Sequence, residues 1–179
     1  MKARESGMPE EKMWEQFFDV DKILNELEVN NEIESIVEFG FGYGTFTIPA
    51  SRKIRGMVYA YDIEDTLIKE LETKLKANNI SNVHLLNRDL ITDGTSLQNE
   101  QSDYCMLFNI LHHHNPMELL GEAFKILKKS GKIGIIHWRT DMETPRGPDM
   151  SIRPTPEQCV DWAEMAGFKV RLKPEILEP

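Results

Sequence analysis

Residues 38–46, EFGFGYGTF, place Gly40, Gly42 and Gly44 at every second position behind the acidic Glu38. The apolar run IESIV leads in and a stretch of helical character follows, so the segment reads as strand, bare turn and helix start. Glycine permits positive φ and lets a ligand press against the main chain, which makes such a turn a cradle for a nucleotide-like group at the positive end of a helix. Two phosphate-binding versions of the device lack their residues here. A P-loop ends in GKS or GKT, and neither is present; the dinucleotide turn GxGxxG needs a glycine where Thr45 stands. The pattern left is ExGxGxG.

Further polar residues sit at the ends of other apolar runs. Asp62 closes VYAYD, about 20 residues past the glycine turn, where an acid can accept hydrogen bonds from both hydroxyls of a ribose. A nicotinamide cofactor would use such an acid equally well. Asp89 follows the run NVHLLN, and Asn109 ends SDYCMLFN. Four of the five histidines cluster past such ends: His112, His113 and His114 after one run, His137 after another. Histidine is the commonest general base for taking a proton from a hydroxyl or an enolisable carbon. A histidine triplet also invites a metal reading, but adjacent side chains diverge and no carboxylate stands at ligand spacing, so no metal is expected. Cys105 and Cys159 are too few and too scattered for a disulfide framework or a zinc site, and read as two buried free thiols of a reducing compartment.

The elements that must hold these residues alternate. Apolar runs at IESIVEF, GMVYAYD, NVHLLN, SDYCMLFN, GKIGIIHW and FKVRLK are separated by helical patterns, the rhythm of a parallel sheet with crossover helices. In DTLIKELETKLKANN, Leu67, Ile68, Leu71 and Leu75 form one stripe, and Asn78 and Asn79 end it. In NPMELLGEAFKILKKSG, Asn115 caps, Pro116 suits the first helical position, Lys128 and Lys129 meet the negative end of the dipole, and Gly131 closes. TPEQCVDWAEMAG repeats the design with Thr155, Pro156 and Gly167. Pro49 conflicts with the helix after the glycine turn, which it would bend or delay. Residues 1–32 carry Trp14, Phe17, Phe18, Ile23, Leu24 and Leu27 at helical spacing before any strand, and form either a lid over the strand ends or one more covering helix. The long Pro/Gly-rich connector TDMETPRGPDMSIRPTP is of a kind that is often functional.

A chain of 179 residues with 40% hydrophobic and 28% charged residues is an ordinary globular domain. Its formal charge of −9, with no compensating basic stripe, disfavours nucleic acid as a partner. The polar N-terminus is unlike a signal peptide and no segment approaches a bilayer span, so no membrane partner and a cytoplasmic location are expected.

VEFGFGYGTFTIPAS and its surroundings resemble the class I S-adenosylmethionine-dependent methyltransferases, in particular the small-molecule group similar to ubiquinone/menaquinone-biosynthesis enzymes, over about residues 33 to 170. The resemblance implies a three-layer α/β/α Rossmann-like fold, S-adenosylmethionine as cofactor and a small-molecule methyl acceptor. It implies that Glu38, with Phe39 beside it, meets the methionine ammonium, that Gly40, Gly42 and Gly44 line the donor, and that Asp62 and Ile63 meet the ribose. Asp89 and Leu90 would meet the adenine, and Asn109 the methionine end. His112 would face the acceptor as the leading base candidate; His137 is the second candidate, and Tyr43, Trp138 and Arg139 either shape the pocket or serve as ordinary packing residues. Phe41 departs from the pattern, which often has a small residue or cysteine there. Two rival functions share these residues: a domain that binds S-adenosylmethionine or S-adenosylhomocysteine without turnover, and an NAD-dependent reductase.

The family's fold usually has seven strands, the last two in an antiparallel hairpin. Beyond Lys173 six residues remain, so six strands are expected, with an open sheet edge that could pair two copies of the chain. Of the neighbouring chemistries, the thiolate-rich arsenic methyltransferases need more cysteines, and the NPPY or NPPF mark of amino-methylating enzymes is incomplete in HNPMEL.

Overall fold

The computed structural model describes residues 18–144 and 147–176, so Trp14 and Phe17 of the helical prelude and residues 177–179 lie outside the described residues. Five strands make one sheet: β1 (Ser35–Phe39), β2 (Met57–Asp62), β3 (Val83–Asn87), β4 (Ser102–Phe108) and β5 (Leu127–Ile136). All neighbours are parallel, in the order β3-β2-β1-β4-β5. Six helices accompany them among the described residues: α1 (Val20–Glu26), α2 (Thr47–Lys53), α3 (Asp65–Ala77), α4 (Leu90–Asp93), α5 (Pro116–Ile126) and α6 (Pro156–Met165).

Side chains alternate across a strand, so each strand feeds two cores. On one face Ile36, Val58 and Met106 pack with Ile23 and Leu24 of α1, Ala50 of α2, and Leu71 and Leu75 of α3. On the other, Val37, Phe39, Cys105 and Leu107 pack with Leu119, Leu120 and Ala123 of α5 and Cys159 of α6. That is the expected three-layer arrangement, and both cysteines are buried and free. Every fully buried leucine contributes roughly 2 kcal/mol, which is what drives the two helical layers onto the sheet. The strand order reverses between β1 and β4, and open parallel sheets bind ligands in the crevice beyond the strand ends at such a point.

Three expectations are corrected. Residues 168–173 form no strand, and the sheet of the described residues has five strands rather than six. Phe168 turns in to pack edge-on against Phe124, ring centroids 5.2 Å apart, and Arg171 is drawn to Glu28 at 2.9 Å. Val170 and Leu172, 45% and 51% exposed, find no second layer to cover, so the alternating pattern is not enough to make a strand. The helix before β5 ends at Ile126, and Lys128, Lys129 and Gly131 belong to β5. Ser102 pairs with Leu127 and Tyr104 with Lys132, so the four intervening residues bulge, and Lys128 is held there by Asp103 at 2.6 Å. Pro49 does not delay its helix, because α2 begins at Thr47 and the missing N–H falls in the first turn, where no intrahelical partner exists anyway.

Candidate functional site

The glycine turn leaves β1 at the reversal point. Gly40 and Gly44 have φ of +75° and +80°, a region that side chains rarely adopt. Space is as restrictive as conformation. A Cβ on Gly40 would lie 2.9 Å from Ile110 Cδ1, and one on Gly44 would collide with Leu71 Cδ1. The turn is therefore pressed between the end of β4 and α3. Its amides are largely committed inward: Gly40 and Phe41 donate to the Tyr61 carbonyl at 2.8 and 3.2 Å, Gly44 to that of Phe41 at 2.9 Å, and Gly42 to Asp62 Oδ2 at 3.0 Å. A pyrophosphate needs such amides free. The Thr45 hydroxyl is shielded and has no hydrogen-bond partner among the described residues.

Glu38 is 2% exposed and accepts a 2.6 Å hydrogen bond from the Thr47 hydroxyl at the start of α2. Burial pushes its carboxyl up to about 7; the Thr47 bond opposes the shift and the Asp62 charge adds to it. An acid kept this dry and close to neutrality is poised to ionise when a cation arrives. Asp62 also sits in a desolvated place that raises its carboxyl, against the pull of the Gly42, Glu64 and Ile63 amides. Its Oδ1 accepts from Ile63 and Glu64 at 2.8 and 3.1 Å. With Gly42 that makes three N–H donors on a group with about four lone-pair sites, so Asp62 organises the turn and keeps about one acceptor site unfilled among the described residues.

The other expected residues fall around the same rim. Phe39 is buried in the opposite core with Leu107, so only its main chain can face the crevice, and Phe41 turns inward as well, 4% exposed. Asp89 caps α4, accepting from the Ile91 and Thr92 amides at 2.9 and 3.3 Å. Burial works to raise its carboxyl, but those amides, the Thr92 hydroxyl and His113 outweigh it and hold the group below its ordinary range. Leu90 opens α4 and packs on the second core. Asn109, with φ of +55°, donates its amide to the Ile136 carbonyl at 2.8 Å, which ties the end of β4 to that of β5. A left-handed asparagine at a strand end is strain of the kind that functional sites hold.

That tie brings His112 and His137 together, edge to face with ring centroids 5.4 Å apart. Burial pushes both imidazoles down to about 4, helped by His113 at His112 and by His112 and Arg153 at His137, where the neighbouring Trp138 backbone offsets part of the effect. Both rings are thus neutral at ordinary pH. His113 faces elsewhere: its Nδ1 accepts from the Asn115 amide at 3.2 Å, and its ring lies 4.1 Å from that of His114. Trp138 is packed by Phe18 at 6.1 Å and by the Arg153 guanidinium at 5.9 Å, and Phe18 continues to Phe46 and Phe108. Arg139 is held bidentate by Asp141 at 2.8 and 2.9 Å. A groove of about 1570 Å³ runs along the outer edge of β5 and reaches Asn109, His137 and Trp138 at its upper end; the glycine turn does not line it. Among the described residues no group of three or more His, Cys, Asp or Glu could hold a metal ion.

Some of this was not visible in the sequence. Thr47 could have been found, as a hydroxyl at the helix start facing a buried acid. Lys74, which donates to the Tyr43 carbonyl at 3.0 Å and overlies that ring at 5.8 Å, looked like one of several solvated lysines of α3. Arg153 lay in the connector with no local signal.

Residues 36–131, more than half of the chain, match the profile of a methyltransferase domain family. The chain belongs to that family. Among solved structures it is similar to an S-adenosylmethionine-dependent methyltransferase from Aquifex aeolicus, with a TM-score of 0.80, 22% identity, and 91% of this chain and 86% of that one covered. It also superposes on the cyclase SpnF with a TM-score of 0.68 and 12% identity, over 92% of this chain and 61% of that one. Identities so low show the fold alone, and a fold does not fix a reaction. The ribosomal protein L11 methyltransferase of Limosilactobacillus fermentum is 34% identical over 115 residues, 62% of this chain and 33% of its own length. That of Streptococcus uberis is 27% identical over 99 residues, 55% of this chain and 29% of its own length. The chain spans about a third of the length of these relatives. No helix among the described residues is long and apolar enough to cross a membrane.

Proposed function

We propose that the crevice at the β1/β4 reversal holds S-adenosylmethionine and that the methyl group goes to a small molecule entering beside β5, as in the small-molecule group that the sequence resembles. The observation that carries the reading is the pairing of an inward-committed glycine turn with a buried, nearly neutral acid. A phosphate-bearing cofactor has few amides to bind, whereas an amino-acid ammonium has Glu38. Glu38 would take the ammonium, the bare faces of Gly40 and Gly44 would admit the donor closely, and the Thr45 hydroxyl would find its partner there. Asp62 would offer its remaining lone pair to a ribose hydroxyl, and Asp89 with Leu90 would flank the adenine.

S-adenosylmethionine supplies a methyl group already activated on a sulfonium, so the protein needs no covalent nucleophile and works by positioning the acceptor. Asn109 fixes the end of β4 relative to β5, Phe18 and Trp138 wall the acceptor end against water, and His112 and His137 face the acceptor. The L11 methyltransferases are named for a protein substrate, and this chain spans only about a third of their length. Incubating the protein with methyl-tritiated donor and fractions of a metabolite extract tests the proposal: label should appear in a small organic product. Label appearing only in protein fractions would overturn the choice of acceptor, and tight donor binding without any transfer would favour a binding domain.

A further inference from the structure

The geometry points to Thr47 as a positioning residue of the donor crevice: its hydroxyl holds the Glu38 carboxylate in place and sets how readily that acid releases its proton to admit an ammonium. This role rests on the methyl-donor reading and adds control of that site by pH. Thr47 Oγ1 donates to Glu38 Oε2 at 2.6 Å, and the two residues are 0% and 2% exposed. Thr47 is the first residue of α2, and its hydroxyl turns to the end of β1 rather than to an amide of its own helix. Among the described residues the Glu38 carboxylate accepts no other hydrogen bond, so its Oε1 has none.

A hydroxyl can donate to a carboxylate or accept from a carboxylic acid, but the bond is stronger when its acceptor is charged. The Thr47 bond therefore favours the ionised acid, against the burial that raises it. The elements packed around Glu38 bring little else to help. Asp62 of β2 adds a like charge, and Cys105 and Tyr104 of β4 are kept protonated by burial. From α1 and α3 come the apolar side chains of Ile23, Leu24, Leu71 and Leu75. The cations of α2 lie in its last turn, Arg52 on Asn78 and Lys53 on Asn25 and Asp21. Among the described residues the Thr47 hydroxyl is what eases ionisation of Glu38 before a ligand arrives.

The test compares the wild type with Thr47→Val, which keeps the shape, and Thr47→Ser, which keeps the hydroxyl; Thr47→Ala replaces the valine variant if that fails to fold. In ligand-free protein labelled with carbon-13 at the glutamate carboxyls, the Glu38 signal is identified by its loss in Glu38→Gln. It should titrate about one pH unit higher in Thr47→Val, roughly tenfold in proton affinity, and as in the wild type in Thr47→Ser. Calorimetry with S-adenosylhomocysteine should give a wild-type to valine affinity ratio of about five at pH 7, falling below about two by pH 8.5. The ligand's own titration cancels in that ratio. Near pH 7 the valine variant should release nearly a whole proton per ligand, against about half for the wild type. A Glu38 signal that titrates alike in both proteins, or an affinity ratio independent of pH, assigns Thr47 to packing alone and overturns the proposal while the donor site stands. Failure of S-adenosylhomocysteine to bind the wild type at any pH removes the methyl-donor reading and this role with it.

Discussion

Replacing Glu38 by glutamine should stabilise the ligand-free protein at high pH while weakening donor binding. The carboxyl is raised from 4.5 to about 7 in the folded chain, chiefly by burial. A group raised in this way favours folding with its proton on. Its contribution is fully present below pH 4.5 and is lost as pH rises through about 7. At about 1.4 kcal/mol per pH unit of separation, the loss is on the order of 3 kcal/mol, most of it falling between about pH 5 and pH 8. Glutamine has no proton to lose and can still accept from Thr47. Urea unfolding of both proteins across that range, read as the difference between them, isolates Glu38 from every other titration. The difference should turn in favour of Glu38→Gln by about 3 kcal/mol from acid to alkaline pH, and saturating S-adenosylhomocysteine should abolish the wild-type disadvantage. Parallel stability curves would refute the idea that this acid is held ready for a cation at a cost in stability.

Other perturbations have equally definite outcomes. Gly44→Ala places a Cβ into Leu71 at a φ of +80°, and should cost at least about 2 kcal/mol by thermal unfolding; an unchanged Tm would show that the turn is not pressed against α3. Asp62→Ala removes the acceptor of three amides and should lower S-adenosylhomocysteine affinity at least about tenfold by calorimetry. His112 and His137, depressed from 6.5 to about 4, contribute stability that is present above pH 6.5 and lost as pH falls through 4. His112→Phe or His137→Phe should therefore flatten the acid limb of the unfolding profile, and an unaltered limb would place the acid sensitivity elsewhere.

The layout was legible where local chemistry and packing agree. The ends of α6 were readable from Thr155, Pro156 and Gly167, and in the structure Thr155 and Gln158 also satisfy each other reciprocally, a purely local device. The stripe of α3 was readable because Leu71 and Leu75 are core residues at one helical spacing. FKVRLK misled because alternation marks a strand only when a sheet edge accepts it, and here Phe124 and Glu28 compete for the segment. The glycine turn announced the crevice, but not that Asp62 and the Tyr61 carbonyl already hold its amides, since that depends on the parallel register of β1 and β2. The histidine pair was visible only as two separate strand ends. Their contact needs β4 and β5 to be neighbours, and Arg153 reaches Trp138 only through the folding of the connector.

The proposed site requires that an acid buried beside the glycine turn receive the ammonium of the methyl donor. Titrating S-adenosylhomocysteine into the protein by calorimetry near pH 7 in two buffers of different ionisation enthalpy measures it most directly. Saturable binding with about half a proton released per ligand is expected, the fraction for a carboxyl at about 7 that ionises on binding, with no release from Glu38→Gln. Binding with no buffer dependence, or tighter binding of NADH than of S-adenosylhomocysteine, would contradict it.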